Sequence, residues 1–296
     1  MGDNMNYYNE IKEELINNEI TKRVKDYSKN KSDLETYYKV GKLLSEAGKH
    51  YGEGIIREYS IKLTNELGKG YTQSRLRYFR RFYFVFSKCP TLSDKLTYSH
   101  YCEIIWFDKV KINYYIEVSI SQNLSVRELR SKIKNKEYER LDENTKNKLI
   151  KKENTNVSDF IKNPILIKNN NYEMVSEKIL QKLILEDISS FLKELGEGFT
   201  YIDNEYKIKM GTIYNYIDLL LYNIKYKCYV VIELKVNELR KEHIGQIETY
   251  MNYIDKNVKT LNEDKTIGIV IVKKDNKYIM EYSSDKRILS REFVLV

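Results

Sequence analysis

The chain has 296 residues, with 51 Lys and Arg against 43 Asp and Glu, a net charge of +8. At about 150 residues per domain, this length suits two domains. The 42% hydrophobic content excludes a wholly disordered chain, and 2 prolines with 12 glycines exclude a linker-rich or collagen-like one. No apolar run approaches the ~20 residues needed to span a bilayer. The polar start MGDNMNYYNEIKEEL lacks the apolar stretch of a signal peptide. Cys89, Cys102 and Cys228, like His50, His100 and His243, are too scattered for a disulfide framework or a zinc site. The expectation is a cytoplasmic protein with free thiols and no membrane contact. The 27 tyrosines accompany abundant Asn, Ile and Lys and are read as compositional.

Residues 6–49 predict helices. Tyr8, Ile11 and Leu15 recur at helical spacing, and Leu34, Tyr37, Tyr38, Val40, Leu43 and Leu44 repeat the pattern. A further helix over 53–68 places Ile55, Ile56, Tyr59, Leu63 and Leu67 on one face, and Gly68 with Gly70 ends it. Thr72 or Ser74 caps the next helix, which runs to about Phe86 and is followed by a loop at Pro90. Residues 97–123 read as helical, and Ser125 caps a short helix through Ile133.

The charge is uneven. Residues 1–150 hold 28 basic and 21 acidic residues, whereas the remainder is close to neutral. Within the first half, Arg75, Arg77, Arg80 and Arg81 fall within seven positions, with Lys69 just upstream. Arg77 lies at i, i+3 from Arg80 and i, i+4 from Arg81, on one helix face. A basic helix after a glycine turn suits a recognition helix, since arginine makes bidentate contacts to phosphate or guanine. The alternative is pairing with acids of the same domain, of which Glu58 and Glu66 are close in sequence. A second cluster, Arg127 and Arg130 with Lys132, Lys134 and Lys136, suits either phosphate tracking or a solvated face.

Residues 134–171 are highly charged and carry Pro164, and read as a helix tail followed by a linker over 151–170. The texture then changes. Residues 173–195 predict one amphipathic helix ending at Gly196. Short apolar runs follow at 199–202, 206–210, 214–222, 227–235 and 267–272, with a helix near 240–254. That order predicts an α/β (α+β) domain over 171–296 behind a helical domain over 1–150.

Two apolar runs carry ionisable groups. Asp218 lies within NYIDLLLY, and Glu233 and Lys235 end CYVVIELK. Such groups are costly in a buried strand unless paired or bound to metal. A short connection around 223–225 suggests a hairpin. If Asp218 pairs with Val231, then Asp218, Glu233 and Lys235 share one face, whereas a one-residue slip would separate them. Two carboxylates so placed suit Mg2+ (or Mn2+), and the Leu234 backbone carbonyl could add a ligand. A metal there would polarise a phosphate oxygen and activate water, with Lys235 stabilising developing charge. The alternative is a structural ion pair of Lys235 with either acid. On the next helix, Gln246 and Tyr250 share a face at i, i+4, both able to hydrogen-bond a phosphate or a lysine.

Asp218, Glu233-x-Lys235 and Gln246-x-x-x-Tyr250 resemble the PD-(D/E)XK nuclease core with its Gln-x-x-x-Tyr helix. The segments FLKELGEGFTYI, YIDLLLYN, VVIELKVNEL and HIGQIETYMNYID resemble the YhcG-like group of that superfamily. In the first half, YYKVGKLLSEA, LTNELGKGYTQSRLRYFRRFY, LTYSHYCEII and LSVRELRSKI resemble the same group. The resemblance implies a restriction-endonuclease-like core with Asp218 as metal-binding acid, Glu233 as second acid, Lys235 as the catalytic lysine and Gln246 with Tyr250 as support. It also implies a helical, winged-helix-like N-terminal domain that binds DNA. Two positions depart from the pattern: Ile217 replaces the proline of the motif, and Gln181 stands where the group tends to show an acid. Glu177, one turn earlier, is a substitute. The expected function is a metal-dependent endonuclease acting on nucleic acid, most simply DNA, and by analogy a homodimer. The alternative is a nucleic-acid-binding module that retains the fold without cleavage.

Overall fold

The computed structural model describes residues 4–24, 29–87, 92–169 and 175–296. Cys89, the Pro90 loop, residue 170 of the expected linker and residues 173–174 at the expected start of the core helix lie outside the described residues. The chain divides into two units, Met1–Asn135 and Lys136–Val296. Among the described residues no helix is long and apolar enough to cross a membrane.

The first unit is helical: α1 (Asn4–Val24), α2 (Lys29–Tyr51), α3 (Ile55–Leu67), α4 (Gln73–Phe86), α5 (Tyr98–Ile104), α6 (Lys109–Ser121) and α7 (Val126–Lys134). The apolar stripes go inward as their spacing requires, with Tyr8, Ile11, Leu15, Tyr59 and Leu63 buried. Gly68 ends α3 at φ +100°, a conformation that favours glycine. Thr72 caps α4 by accepting the Arg75 N–H at 3.3 Å, and Phe79 and Phe82 point into the core. Helices α2 and α4 meet at Gly41, where a Cβ would stand 2.1 Å from the Phe79 carbonyl oxygen. The single helical stretch expected over 97–123 is broken in two. Asp108 restarts the helix by accepting the N–H groups of Val110 and Lys111. No strand occurs among the described residues of this unit, so the β wing of a winged helix is not among them.

The second unit is built on a six-stranded sheet of order β1-β6-β5-β4-β3-β2, formed by β1 (Ile165–Ile167), β2 (Phe199–Met210), β3 (Ile213–Asn223), β4 (Cys228–Leu234), β5 (Asp264–Val272) and β6 (Ile288–Leu295). β2, β3 and β4 are antiparallel neighbours, whereas β4, β5, β6 and β1 run parallel. α8 (Glu143–Lys151) precedes β1. α9 (Glu177–Glu186) and α10 (Ile188–Leu195) join the apolar layer on one face of the sheet, α11 (Lys241–Asn257) covers the other, and α12 (Lys277–Glu281) precedes β6. α11 seats on β5 at Gly268, where a Cβ would stand 2.5 Å from Met251 Sδ. The mixed sheet with helices on both faces is the α/β arrangement that the element order implies.

Three expectations change. The boundary falls at 135/136, so residues 136–150 leave the helical half, and the described residues of the 151–170 linker belong to the second unit. They are tied in by polar contacts that a charge-rich segment hides from a hydropathy reading. Arg140 pairs with Glu194 at 2.6 Å, buried Lys162 lies 3.6 Å from buried Glu137, and Arg291 donates to the Ile161 carbonyl. The helix expected over 173–195 breaks at Asp187, which leaves helical geometry and caps α10. The runs at 199–202 and 206–210 are one strand with a register shift between Tyr201 and Asp203. β1 and β6 were not foreseen.

Candidate active site

The β3–β4 register pairs Leu219 with Ile232 and Leu220 with Val231. This is two residues away from the Asp218–Val231 pairing considered above, and a two-residue shift preserves the face. The side chains of Asp218, Glu233 and Lys235 therefore meet at the end of β4, joined by Glu177 and Gln181 from α9 and by Gln246 and Tyr250 from α11.

Each contact has a definite donor. The Leu234 N–H donates to Asp218 Oδ2 at 2.7 Å, and Gln181 Nε2 donates to the Asp218 carbonyl at 2.9 Å. Lys235 Nζ donates to Glu233 Oε1 at 2.9 Å and to Glu177 Oε2 at 3.3 Å. Gln246 Nε2 donates to the same Glu233 Oε1 at 2.8 Å and to the Tyr250 hydroxyl at 3.0 Å. Glu233 is only 2% exposed, and its Oε2 has no hydrogen-bond partner.

The electrostatics follow from this crowding. Burial, and then the charge of Asp218, push the Glu233 carboxyl up to about 7 despite Lys235 beside it. Burial also raises Asp218, against the pull of the Leu234 N–H and the Lys235 charge. For Lys235, burial favours the neutral amine, but the surrounding acids, Glu233 foremost, outweigh it and hold the ammonium charged.

Gln181 fastens the Asp218 backbone. Gln246 is bonded not to Lys235 but to Glu233, with Tyr250 behind it. Glu177 does stand close, through Lys235. Two nearby groups were missed. Glu205, on β2 with φ +50°, adds negative charge against Asp218. His243 lies at i, i+3 and i, i+7 from Gln246 and Tyr250, and its Nδ1 accepts the Arg240 N–H. Burial and then the Lys235 charge push its pKa down. Its spacing before Gln246 was the available signal.

Among the described residues no three His, Cys, Asp or Glu side chains gather closely enough to form a ready cation cage. The donor set still fits Mg2+ or Mn2+, which bind through one or two carboxylates and keep several waters. Asp218 and Glu233 are oxygen donors, and the unpartnered Glu233 Oε2 is a buried carboxylate oxygen for which the fold supplies no proton donor.

Two family models match the chain: the YhcG PDDEXK nuclease domain over residues 158–293 and the DUF1016 N-terminal domain over residues 11–140. The C-terminal half is thus similar to the YhcG PDDEXK nuclease domain and the N-terminal half to the DUF1016 N-terminal domain. Among curated proteins it is similar to Putative nuclease YhcG of Escherichia coli K12, with 22% identity over 80% of this chain and 75% of that protein. Among solved structures it is similar to a repair endonuclease from Pyrococcus abyssi (20% identity, TM-score 0.30, 42% of this chain and 49% of that one). The EndoMS-dsDNA2 complex also matches (19% identity, TM-score 0.31, 42% of this chain and 48% of that one). The chain thus spans about half the length of each of these structures.

In the N-terminal unit, most of the arginines singled out above are engaged internally. Arg80 forms a two-point pair with Glu53, at 2.5 and 2.7 Å, and Arg130 pairs with Glu103 at 2.6 Å. Arg75 donates to the Gly70 carbonyl and the Tyr37 hydroxyl among three aromatic rings. Arg81 donates to the Ile105 carbonyl beside Trp106. Glu58 and Glu66, the acids close in sequence, pair instead with Lys62 and Lys12. Lys69, Arg77 and Arg127 remain exposed on the surface.

Proposed function

We propose that the C-terminal unit hydrolyses phosphodiester bonds of nucleic acid, DNA as the first substrate to test, using Mg2+ or Mn2+ held by Asp218, Glu233 and the Leu234 carbonyl. The observation that carries this reading is the buried, unpartnered Glu233 Oε2 beside a second acid and a charged lysine. An unsatisfied buried acceptor costs about 1–3 kcal/mol, more when charged, and a cation would relieve both that cost and the repulsion between the acids. When bound, the cation would supply a Lewis acid and lower the pKa of water at the phosphate.

The chain's own residues do the positioning. Leu234 fixes the Asp218 carboxylate, and Gln181 fixes the strand that bears it. Gln246 and Lys235 converge on Glu233 Oε1, so Oε2 is the oxygen left for a ligand. Lys235 also reaches Glu177. Because its ammonium stays charged, it is available to charge that develops on a phosphate oxygen. Gln246 and Tyr250 are positioning residues in this scheme, as they act through Glu233. Lys69, Arg77 and Arg127 are the N-terminal cations offered to nucleic acid, and two copies of the chain would address two strands.

A non-catalytic binding role is favoured by one observation, Gln181 in place of an acid. Incubation of supercoiled plasmid with the full chain and Mn2+ decides between the readings. The nuclease reading predicts cutting that falls by about 100-fold or more in Lys235→Ala and Asp218→Asn. Equal products from all three proteins, or none from the wild type on DNA or RNA, would remove it.

A further inference from the structure

β4 pairs with β3 only at Leu219–Asn223. From Ile213 to Ile217, β3 therefore pairs with β2 alone, and the two strands run past the sheet as a ribbon. The inner side of this ribbon is core, with Ile208 and Ile217 fully buried, and Tyr253 of α11 accepts the Lys209 N–H at 3.5 Å. The ribbon is thus fixed, and its outer face has a defined composition.

Directly opposed residues share a face. Lys207 faces Tyr216 and Lys209 faces Tyr214, so two lysines and two tyrosines alternate on the outer side. Tyr214 is 49% exposed and Tyr216 51%. Lys207 Nζ sits 4.0 Å from the centre of the Tyr214 ring and Lys209 Nζ 5.6 Å from it. Each ammonium is held on the face by the ring quadrupole, and neither lysine pairs with a carboxylate among the described residues. The lysines stand about 7 Å apart along their strand, and Tyr216 lies about the same distance from Asp218. Negative Glu205 lies at the root of the ribbon and the lysines lie outward. The charge therefore changes from cation-attracting near Asp218 to phosphate-attracting toward the tip.

Backbone-tracking cations interleaved with exposed rings are the chemistry of single-strand binding, in which bases stack on aromatic side chains. A duplex keeps its base faces covered by neighbouring pairs and could use the lysines alone. We propose that the outer face of the β2–β3 ribbon binds a single-stranded segment of nucleic acid, with Lys207 and Lys209 on its phosphates and Tyr216 and Tyr214 against its bases. The ribbon sets that strand beside the Asp218–Glu233 acids. The inference rests on the nuclease reading only for what then happens to the strand.

The test measures fluorescence anisotropy of a labelled single-stranded oligonucleotide, and of its duplex, with the full chain in EDTA. The variants are Lys207→Gln/Lys209→Gln and Tyr214→Leu/Tyr216→Leu, checked for folding by circular dichroism. The lysine pair should weaken single-strand binding at least tenfold and reduce the slope of log K against log salt by about 1.4, for two lost phosphate contacts. The tyrosine pair should weaken single-strand binding about tenfold, with little change in salt slope and little effect on the duplex. Wild-type single-strand affinity in both variants, or equal losses on strand and duplex in the tyrosine variant, would overturn the proposal. The same oligonucleotide incubated with wild type and Mn2+ separates the two readings. Cutting without ribbon-dependent binding removes the ribbon, whereas ribbon-dependent binding without cutting removes the nuclease.

Discussion

The helical unit holds most of the basic excess, yet four of its six flagged arginines are closed on partners of their own. Arg80 and Arg130 are in two-point pairs with Glu53 and Glu103, and Arg75 and Arg81 donate to backbone carbonyls beneath aromatic rings. The mixed-sheet unit is close to neutral, yet it gathers Asp218, Glu233 and Glu177 around one lysine and leaves Glu233 Oε2 without a donor. It also carries two lysines on an outward ribbon. Net charge counts side chains, whereas recognition depends on which of them lack a partner. By that measure the near-neutral unit has the chemistry, and the basic unit offers fewer cations than its composition suggests.

The sharpest break of this contrast is catalytic. Lys235→Ala or Asp218→Asn should lower the cleavage rate by about 100- to 1,000-fold, or roughly 3–4 kcal/mol of barrier. Arg80→Gln should leave the rate on bound substrate unchanged. Single-turnover kinetics on saturating substrate checks both.

The second break is pH-dependent. Folding raises Glu233 from its ordinary 4.5 to about 7, so the folded state holds this proton more tightly than the unfolded one. That contribution is complete below about pH 4.5 and is lost as pH rises to about 7, a swing of about 3 kcal/mol. In metal-free protein, urea titrations should show wild-type stability falling across this window relative to Glu233→Gln. Parallel curves would place Glu233 in a different environment.

Packing separates the units at a smaller scale. Gly41→Ala should destabilise the helical unit and Gly268→Ala the sheet unit, each by about 1–3 kcal/mol, because the added methyl meets a backbone carbonyl in one and Met251 in the other. Calorimetry of the full chain reads each effect. The smallest differences concern the surface arginines. Arg80→Gln should cost under about 1 kcal/mol, and Arg80→Gln and Arg130→Gln should both leave nucleic-acid affinity unchanged. Arg77→Gln and Arg127→Gln should each lower the salt slope of duplex binding by about 0.9.

Periodicity made α3, α4 and the strands around the acids legible, because their apolar spacing survives in the native burial. The acid–acid–lysine cluster was legible for the same reason: ionisable groups stand out in apolar strands. The junction was not. Residues 136–169 are polar and bind their unit through Arg140, Lys162 and Arg291, contacts made to partners far along the sequence. The helix breaks at Asp108 and Asp187 depend on single capping side chains within otherwise helical patterns. The fate of the arginines was hidden likewise, since Arg80 and Arg130 each meet an acid 27 residues away. Tyr214 and Tyr216, two of many tyrosines, gained meaning only when register set them opposite lysines.

We propose that the acids of the sheet unit hold a divalent cation at the unpartnered Glu233 Oε2. Electron paramagnetic resonance titration of Mn2+ into wild type, Glu233→Gln and Asp218→Asn tests it most directly. Saturable binding to the wild type is expected, strengthening as pH rises through about 7, and weakened at least tenfold by either substitution. Equal affinity in all three proteins, or no saturable binding to the wild type, would contradict it.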